Sequence, residues 1–182
     1  MPAAQPSLPK VGHNLILREL LAEDLPSLYT IESDLRVKCY LRGPVTKRRD
    51  AWIQGMERCL PRSGIIAILT KDTRQFAGRA ALTPTPSPSE REIQVIISQH
   101  YWGRRFGREV SHILIEAAFD ELGADQVVAV AHPENLASLN LLASFGFESD
   151  GTIQDGTWQN GHRRFTLSLA NFLKSPGASL TE

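Results

Sequence analysis

The sequence has few cysteines, no excess of charge and no long apolar run. Its two cysteines, Cys39 and Cys59, among 182 residues exclude a disulfide-built fold and are typical of reduced thiols in a cytoplasm. Twenty basic residues balance twenty acidic ones, so no net field indicates nucleic acid or an anionic membrane as a partner. No apolar run approaches the roughly 20 residues that cross a bilayer. These absences favour a cytoplasmic protein in which any anion site is local.

The length of the chain and its hydrophobic content of 42% predict one well-filled core and a single domain. This domain is predicted over residues 12–173. Residues 1–11 are rich in proline and residues 174–182 are small and polar. Both terminal segments are therefore expected to be mobile.

Hydrophobic periodicity and turn residues predict a mixed α/β fold. The first half of the predicted order is a strand at 15–17, helices after Asp24 and from about Thr46 to Pro61, and a hairpin of strands at 64–70 and 75–83. The second half is a strand at 92–98, a helix at 106–122, a strand at 126–131, a helix before Gly146 and a hairpin around Asn160 and Gly161. Strand, helix and strand between Glu92 and Ala131 form a βαβ unit. Its two strands are expected to be parallel if they are neighbours, with a right-handed crossover.

Two faces are predicted from the periodicity within that order. In the strand at 92–98, Ile93, Val95 and Ile97 alternate and are expected on one side of the sheet. In the helix before Gly146, the spacing of three leucines predicts that they point inward. These leucines are Leu136, Leu139 and Leu142.

The stretch YWGRRFGREV, residues 101–110, joins the 92–98 strand to its helix and concentrates positive charge. The first turn of a helix exposes unpaired N–H groups and carries partial positive charge. Arg104, Arg105 and Arg108 add like charge there, which is unfavourable unless a phosphate binds. The alternative is a solvated loop whose arginines point to water. P-loop and Rossmann patterns fit poorly, because no Lys-Ser or Lys-Thr follows Gly107 and the glycine spacing differs.

The same loop resembles the acyl-CoA-binding motif of the GNAT superfamily of N-acetyltransferases, Q/R-x-x-G-x-G/A. The branch that acetylates the N-termini of ribosomal proteins commonly has a variant similar to Tyr-Trp-Gly-Lys-Gly-Tyr-Gly. YWGRRFG matches this variant at Tyr101, Trp102, Gly103 and Gly107. Arg105 departs from it, because it stands where the family has its inner glycine.

A second motif of that family, PEN-x-x-S with a following Gly-Phe, strengthens the resemblance. It is present as Pro133, Glu134, Asn135, Ser138, Gly146 and Phe147. The likeness extends over about residues 15–173. It implies a single-domain GNAT-like fold, with a mixed central sheet of splayed parallel strands flanked by helices.

The resemblance also implies a site for acetyl-CoA as co-substrate, with no metal. The cofactor would lie between the strands at 92–98 and 126–131, with its pyrophosphate on the N-terminus of the helix that follows. A backbone N–H near Val95 to Ile97 would stabilise the oxyanion, and Asn135 and Ser138 would contact the CoA arm and thiol. Ser138 could instead cap the helix or have no role. The implied cofactor-binding residues are Val95, Ile97, Arg104, Arg105, Phe106, Gly107, Arg108, Asn135 and Ser138.

The general base is less well indicated than the cofactor site. The ribosomal-protein branch commonly uses a glutamate on its sixth strand, but the corresponding residue here is Thr157, which cannot act as a carboxylate base. Glu92 opens the splayed strand, where other branches place a glutamate, and it is the preferred candidate beside Ser138 in the catalytic set. Its alternative role is an exposed residue at a strand end. Asp155 and His132 are weaker candidates.

The resemblance implies direct acetyl transfer to a primary amine, either a small molecule or a protein N-terminus, by a monomer or homodimer. A non-catalytic acyl-CoA-binding protein on the same fold is the alternative, because of Thr157. Neither cysteine lies in a recognised nucleophile motif, and the five histidines show no metal-ligand spacing. A basic run near the first two helices is either a solvated face or attracts an acidic acceptor or RNA. This run comprises Arg36, Lys38, Arg42, Lys47, Arg48 and Arg49.

Overall fold

The computed structural model describes residues 4–41, 43–60, 63–152 and 161–178. These residues form eight strands and six α-helices in the described ranges, in the mixed α/β arrangement that the sequence predicts. In chain order they are β1 (Lys10–Val11), β2 (Leu15–Glu19), α1 (Leu25–Ser33), α2 (Leu35–Lys38), α3 (Arg49–Cys59), β3 (Ile65–Thr70), β4 (Phe76–Pro84), β5 (Glu90–Ile97), α4 (Phe106–Glu116), β6 (Gln126–Ala131), α5 (Leu136–Ser144), β7 (Glu148–Thr152), β8 (Arg163–Ser168) and α6 (Leu169–Lys174).

Contacts within the chain define two compact units. The unit that we call the N-terminal unit comprises Ser7–Ala81 and Val95–Val110. The C-terminal unit comprises Met1–Pro6, Leu82–Gln94 and Ser111–Glu182. Strand β5 therefore contributes its first residues to one unit and its last residues to the other.

The N-terminal unit is built on antiparallel strands. Strand β2 pairs with β1 and β3, and β3 pairs with β4 across the predicted hairpin. The end of β5 runs beside β4, where the Ser98 N–H donates to the Ala77 carbonyl at 2.8 Å. Lys10 and Val11, expected in a mobile segment, instead pair with Leu17 and Ile16.

Helices α1 and α3 supply the core that covers this sheet. Pro26 lies in the first turn of α1, as predicted, but Asp24 makes no side-chain capping bond to that helix. Its carboxylate accepts instead from the Leu21 N–H and from Arg18. Helix α3 begins after Arg48 rather than at Thr46, and Pro61 lies outside the described residues. The core comprises Leu20, Leu25, Leu28, Ala67 and Leu69, with Trp52, Ile53 and Met56 packed against it.

The C-terminal unit contains the mixed part of the sheet. Strand β5 pairs with β6 in parallel over Glu90–Glu92, opposite Gln126–Val128. On its other side, β6 pairs antiparallel with β8, and β8 pairs antiparallel with β7. The βαβ unit is therefore parallel as predicted. Asn160 of the predicted final turn lies outside the described residues.

Two predicted faces differ from the structure. In β5 the buried residues are Ile93 and Ile96, while Val95 and Ile97 are half-buried, so the two-residue alternation breaks where the strand passes from one unit to the other. In α5 Leu142 is buried and Leu139 half-buried, but Leu136 is 67% exposed. Leu136 is the first residue of the helix, and a residue at that end has no preceding turn to pack against.

The helix that begins with α4 does not stay α-helical up to Gly123. Residues Ala117–Glu121 form a π-helical turn, in which the Leu122 N–H donates to the Ala117 carbonyl at 3.1 Å. Gly123 then adopts a φ of 59°, as expected for a glycine that ends a helix. Val110 and Leu114 are fully buried and Ala117 nearly so, so this face of the helix packs into the core.

An unpredicted helix, α6, follows the last strand and packs through Phe172. Ser168 caps it by accepting from the Asn171 N–H, and Phe172 lies 6.3 Å from Phe145 between ring centroids. Residues 174–182 are predicted to be mobile from the sequence; within the described part of this segment the Ala178 carbonyl lies 3.0 Å from the His112 ring, and Gly177 is buried. No helix in the described residues is long and apolar enough to cross a membrane.

Candidate functional site

The predicted site residues fall into both units. Val95, Ile97 and residues 104–108 belong to the N-terminal unit. Glu92, Asn135 and Ser138 belong to the C-terminal unit.

The turn from β5 into α4 contains two residues with left-handed backbone. Gly103 has a φ of 77° and Arg105 a φ of 61°. A Cβ on Gly103 would meet nothing within 4 Å, so this glycine serves the backbone conformation rather than a close contact. The turn starts with a short 3₁₀ segment, Gln99–Tyr101.

Arg105 keeps the backbone of the glycine that it replaces in the motif. A left-handed φ costs a residue with a Cβ about 1 kcal/mol or more. The side chains of Arg104 and Arg105 are exposed, which places both guanidinium groups at the solvent-facing side of the turn. The arginine therefore adds positive charge to the loop, while the loop keeps the backbone conformation that a glycine would give it.

An aromatic pair fixes this loop from inside the N-terminal unit. Tyr101 and Phe106 are both 7% exposed and stack with their ring centroids 5.7 Å apart. The Arg104 guanidinium lies 5.4 Å from the Tyr101 ring centroid, within cation–π range. Phe106 is among the residues implied to bind the cofactor. Because its side chain is buried, only its backbone could contact a ligand.

Glu109, in the first turn of α4, has a structural role that the sequence does not indicate. Its buried carboxylate accepts hydrogen bonds from the Asn14 N–H at 2.8 Å, the Asn14 side-chain amide at 3.0 Å and the Leu15 N–H at 3.1 Å. These bonds fix the helix start to the beginning of β2. A negative charge at this end of a helix is also favourable.

The last residues of β5 lie very close to β4. A Cβ on Gly78 would lie 2.2 Å from the Ile96 carbonyl oxygen and 3.1 Å from the Ile97 Cα, so only glycine allows this approach. The Trp102 indole donates to the Ile97 carbonyl at 2.9 Å. The segment predicted to carry the oxyanion donor is thus held on both sides.

In the C-terminal unit, Glu92 lies on the part of β5 that pairs with Val128 of β6. Its half-buried carboxylate accepts from the Gln94 side-chain amide at 2.8 Å. This hydrogen bond orients the carboxylate and leaves its other oxygen available as a proton acceptor.

Asn135 is the N-cap of α5, because its side-chain oxygen accepts from the Ser138 N–H at 3.2 Å. The Ser138 hydroxyl makes no hydrogen bond with the parts of the chain that the structure describes. The bond that caps the helix uses the Ser138 backbone and not its hydroxyl. The hydroxyl therefore remains available as a donor.

His132, at the end of β6, is constrained by a local turn. Its Nδ1 accepts from the Glu134 N–H at 3.2 Å, so a proton on the neutral ring belongs on Nε2. Its ring lies 5.1 Å from that of His162, in an edge-on arrangement. Asp155 and Thr157, the other residues considered for the base, lie outside the described residues.

The N-terminal unit also holds a buried ion cluster that sequence reasoning missed. Glu32 of α1 accepts from Lys38 at 2.5 Å and from Arg79 of β4 at 2.5 Å. Burial raises the pKa of the Glu32 carboxyl, but the charge of Arg79 and the hydrogen bonds from both cations lower it by more, so this pKa lies below its ordinary value. No sequence signal indicates a contact across 47 positions.

The basic run is not one solvated face. Lys38 is buried in the cluster, and Arg36 pairs with Asp34 at 3.1 Å on the surface. Residues 47–49 are exposed around the start of α3, and Arg42 lies outside the described residues. Only part of the run is therefore open to a partner.

A cleft of about 570 Å³ lies in the N-terminal unit beside the loop that precedes α4. Its lining combines the end of the β3–β4 hairpin, the start of β2 and the loop, through His13, Asn14, Thr70, Lys71, Asp72, Thr73, Gln75, His100, Tyr101, Arg104 and Phe106. Among the described residues, no group of three His, Cys, Asp or Glu side chains could hold a metal ion.

Sequence comparison finds acetyltransferase relatives. Residues 14–148 match the family model described as an acetyltransferase (GNAT) domain. An uncharacterized N-acetyltransferase, p20 of Bacillus licheniformis, is 27% identical over 147 residues, which cover 78% of this chain and 83% of that protein. The uncharacterized N-acetyltransferase YoaA of Bacillus subtilis is 29% identical over 92 residues, 50% of this chain and 52% of that one.

Solved structures show the same fold. A GNAT-family acetyltransferase from Bacillus anthracis superposes with a TM-score of 0.76 at 15% identity, over 88% of this chain and 98% of that one. The spermidine N-acetyltransferase of Vibrio cholerae, solved in complex with CoA and spermine, gives a TM-score of 0.74 at 17% identity, over 88% and 98% of the two chains.

Proposed function

This chain belongs to the GNAT family of acetyltransferases, and from that premise we propose that it transfers an acetyl group from acetyl-CoA directly to a primary amine. The proposal rests mainly on the backbone conformation of the loop before α4. There Arg105 retains a left-handed backbone in the position of the motif's inner glycine. A strained residue of this kind is typical of a functional loop.

The residues of this loop suit a pyrophosphate. The start of α4 offers backbone N–H groups and the positive end of the helix dipole. The exposed Arg104 and Arg105 add donors that pair well with phosphate oxygens. Gly107 and the backbone of Phe106 would complete the cradle together with Arg108. When bound, acetyl-CoA supplies the activated thioester.

Two further groups of residues are proposed to act on the thioester. A backbone N–H in the segment that includes Val95 and Ile97 would donate to the carbonyl oxygen as negative charge develops. Asn135 would contact the CoA arm. The Ser138 hydroxyl, which has no partner in the described chain, would donate a hydrogen bond to the departing thiolate and relay to it the second proton that the attacking amine releases.

Glu92 is proposed as the general base. An amine must lose a proton to attack a carbonyl carbon, and the Glu92 carboxylate, oriented by Gln94, can accept it directly or through a water molecule. His132 suits this role less well, because its Nδ1 already accepts from a backbone N–H.

We further propose the acceptor as a protein N-terminus or a small-molecule amine, and the branch as that of the ribosomal-protein N-acetyltransferases. Among the structural neighbours, one enzyme acetylates spermidine. The enzyme is proposed to act in the cytoplasm, as a monomer or homodimer, without a metal.

The proposal is tested by following thiol release from acetyl-CoA in the presence of a panel of amines. An acetyltransferase will release free CoA only when an acceptor is present, and direct transfer predicts that both substrates must bind before CoA leaves. A protein that binds CoA tightly but releases none with any amine would be the non-catalytic alternative.

A further inference from the structure

The buried ion cluster of the N-terminal unit contains more positive than negative charge. Glu32, Lys38 and Arg79 have side chains that are 10%, 9% and 15% exposed. Both cations pair with the one carboxylate. Among the described residues, neither cation has an ion pair with a second acidic side chain, so the cluster carries a net charge of about +1.

An excess charge in a poorly solvated position is costly unless another group neutralises it. The pKa of the Glu32 carboxyl lies below its ordinary value, so this group is ionised at neutral pH. The excess positive charge of the cluster therefore comes from its second cation. Lys38, the last residue of α2, donates to the Glu32 carboxylate of α1 at 2.5 Å, and the Glu32 backbone carbonyl accepts from the Val45 N–H at 2.8 Å. Of the two cations, Arg79 has the planar guanidinium that can pair with an anion through two parallel bonds.

The Arg79 guanidinium has donors left over. Its Nε contacts Glu32, while its two terminal nitrogens make no hydrogen bond within the described residues, and neither is both buried and unsatisfied. These two nitrogens form a fork that matches the two oxygens of a carboxylate. The side chain is thus oriented by one carboxylate and open to a second.

Arg79 is next along β4 to the contact between this strand and the end of β5. It follows Gly78, where a Cβ would lie 2.2 Å from the Ile96 carbonyl oxygen, and Val95 to Ile97 are the residues proposed to carry the oxyanion donor. An acceptor amine that reaches this segment of β5 would come within the field of the cluster. That field disfavours acceptors that are cationic throughout, such as polyamines.

We propose that the Glu32–Lys38–Arg79 cluster selects an acceptor that carries a carboxylate as well as its amine, by pairing that carboxylate with the terminal nitrogens of Arg79. The inference rests on the proposed acetyltransferase function and specifies its substrate class. It assigns Arg79 a role in specificity and none in the chemical step.

The wild-type enzyme provides the first test, with amino acids and amino alcohols of matched carbon skeleton as acceptors, and spermidine beside them. We expect KM for the preferred amino acid to be lower than for its alcohol by about tenfold, the value of one charge-assisted bidentate pair. Equal use of acid and alcohol, or preference for spermidine, would overturn this inference alone. Failure to acetylate any amine would overturn the proposed function and the inference with it.

The substitution Arg79→Gln provides the second test. It leaves Lys38 and Glu32 as a balanced pair, and it is expected to abolish the preference for the acid by raising its KM about tenfold, with kcat and the KM of the alcohol unchanged. Arg18→Gln is the matched control, since Arg18 also pairs with a buried carboxylate, that of Asp24. A loss of stability without any change in the acid-to-alcohol ratio would show a structural role only and overturn the inference.

Discussion

Arg105 shows how one residue can retain the shape of a motif while changing its charge. Its backbone φ of 61° is one that glycine adopts freely and arginine adopts at a cost of about 1 kcal/mol or more. Local packing does not explain the cost, because the side chain is exposed. A phosphate contact would explain it.

Substituting Arg105 by glycine and by alanine separates charge from conformation. Both variants lose the guanidinium group, so both should bind CoA about three- to tenfold more weakly. Only glycine relieves the left-handed strain, so Arg105→Gly should be more stable than Arg105→Ala by about 1 kcal/mol. Isothermal titration with CoA and urea unfolding measure the two effects. CoA binding by Arg105→Gly that equals or exceeds that of the parent would show that the arginine obstructs the loop.

Glu92 is tested by its amide. Glu92→Gln keeps the shape of the side chain but cannot accept a proton, so we expect kcat at neutral pH to fall by about 10²-fold or more. The measurement is a pH–rate profile of amine acetylation. Glu90→Gln is the matched control on the same strand, because Glu90 pairs with Arg164 at 2.8 Å; its loss should affect stability and leave the profile unchanged. An unaltered rate for Glu92→Gln would remove this residue as the base.

At the scale of elements, the contact between β4 and the end of β5 depends on a missing Cβ. Gly78→Ala would place a methyl group 2.2 Å from a backbone oxygen, so one strand must shift, at an expected cost of about 2 kcal/mol. Gly55→Ala is the contrasting control, since a Cβ there meets nothing within 4 Å in the interior of α3. It should stabilise the protein by up to about 1 kcal/mol. Equal stability of the two variants in urea unfolding would contradict this account of the contact.

Elements with a strong periodic pattern were predictable from the sequence. The β6 strand has the predicted bounds, and the β3–β4 hairpin and the parallel βαβ pairing are confirmed. Helix α6 was missed because Leu169 and Ala170 continue the apolar pattern of β8, and the capping role of Ser168 is visible only with the backbone. The break in the β5 pattern follows from its contacts on two sides, which no local pattern records.

The local structure around the proposed site residues was predictable only where these residues are close in sequence. The loop of residues 101–107 and the capped helix that begins after Asn135 lie where their motifs indicate. The Glu32–Arg79 pair and the bonds from Asn14 to Glu109 join residues 47 and 95 positions apart. Such contacts depend on the register of strands and the packing of helices, and a charge pattern alone does not reveal them.

At the scale of the whole molecule, the buried cluster should couple folding stability to pH. The pKa of Glu32 is lower in the folded chain than its ordinary 4.5, so its contribution is fully present above that value and is lost as the pH falls through the folded pKa. Glu32→Gln leaves the buried Lys38 and the partly buried Arg79 without their carboxylate and should lower the free energy of unfolding by about 3 kcal/mol at neutral pH. The difference in free energy of unfolding between wild type and Glu32→Gln should become smaller at acidic pH.

Urea unfolding of both proteins across an acid series measures this coupling. Arg36→Gln, which breaks an exposed pair with Asp34, is the control and should change stability little at any pH. A constant difference between wild type and Glu32→Gln at all pH values would contradict the assignment of the ionised carboxylate.

The proposed reaction of this chain moves an acetyl group from acetyl-CoA to an amine. The most direct measurement is mass spectrometry of an acceptor panel after incubation with enzyme and acetyl-CoA. The panel contains amino acids, amino alcohols, polyamines and peptides with free N-termini. We expect an N-acetylated product that requires the enzyme and is most abundant for an acceptor that bears a carboxylate. A fully unmodified panel, under conditions where the protein binds CoA, would contradict it.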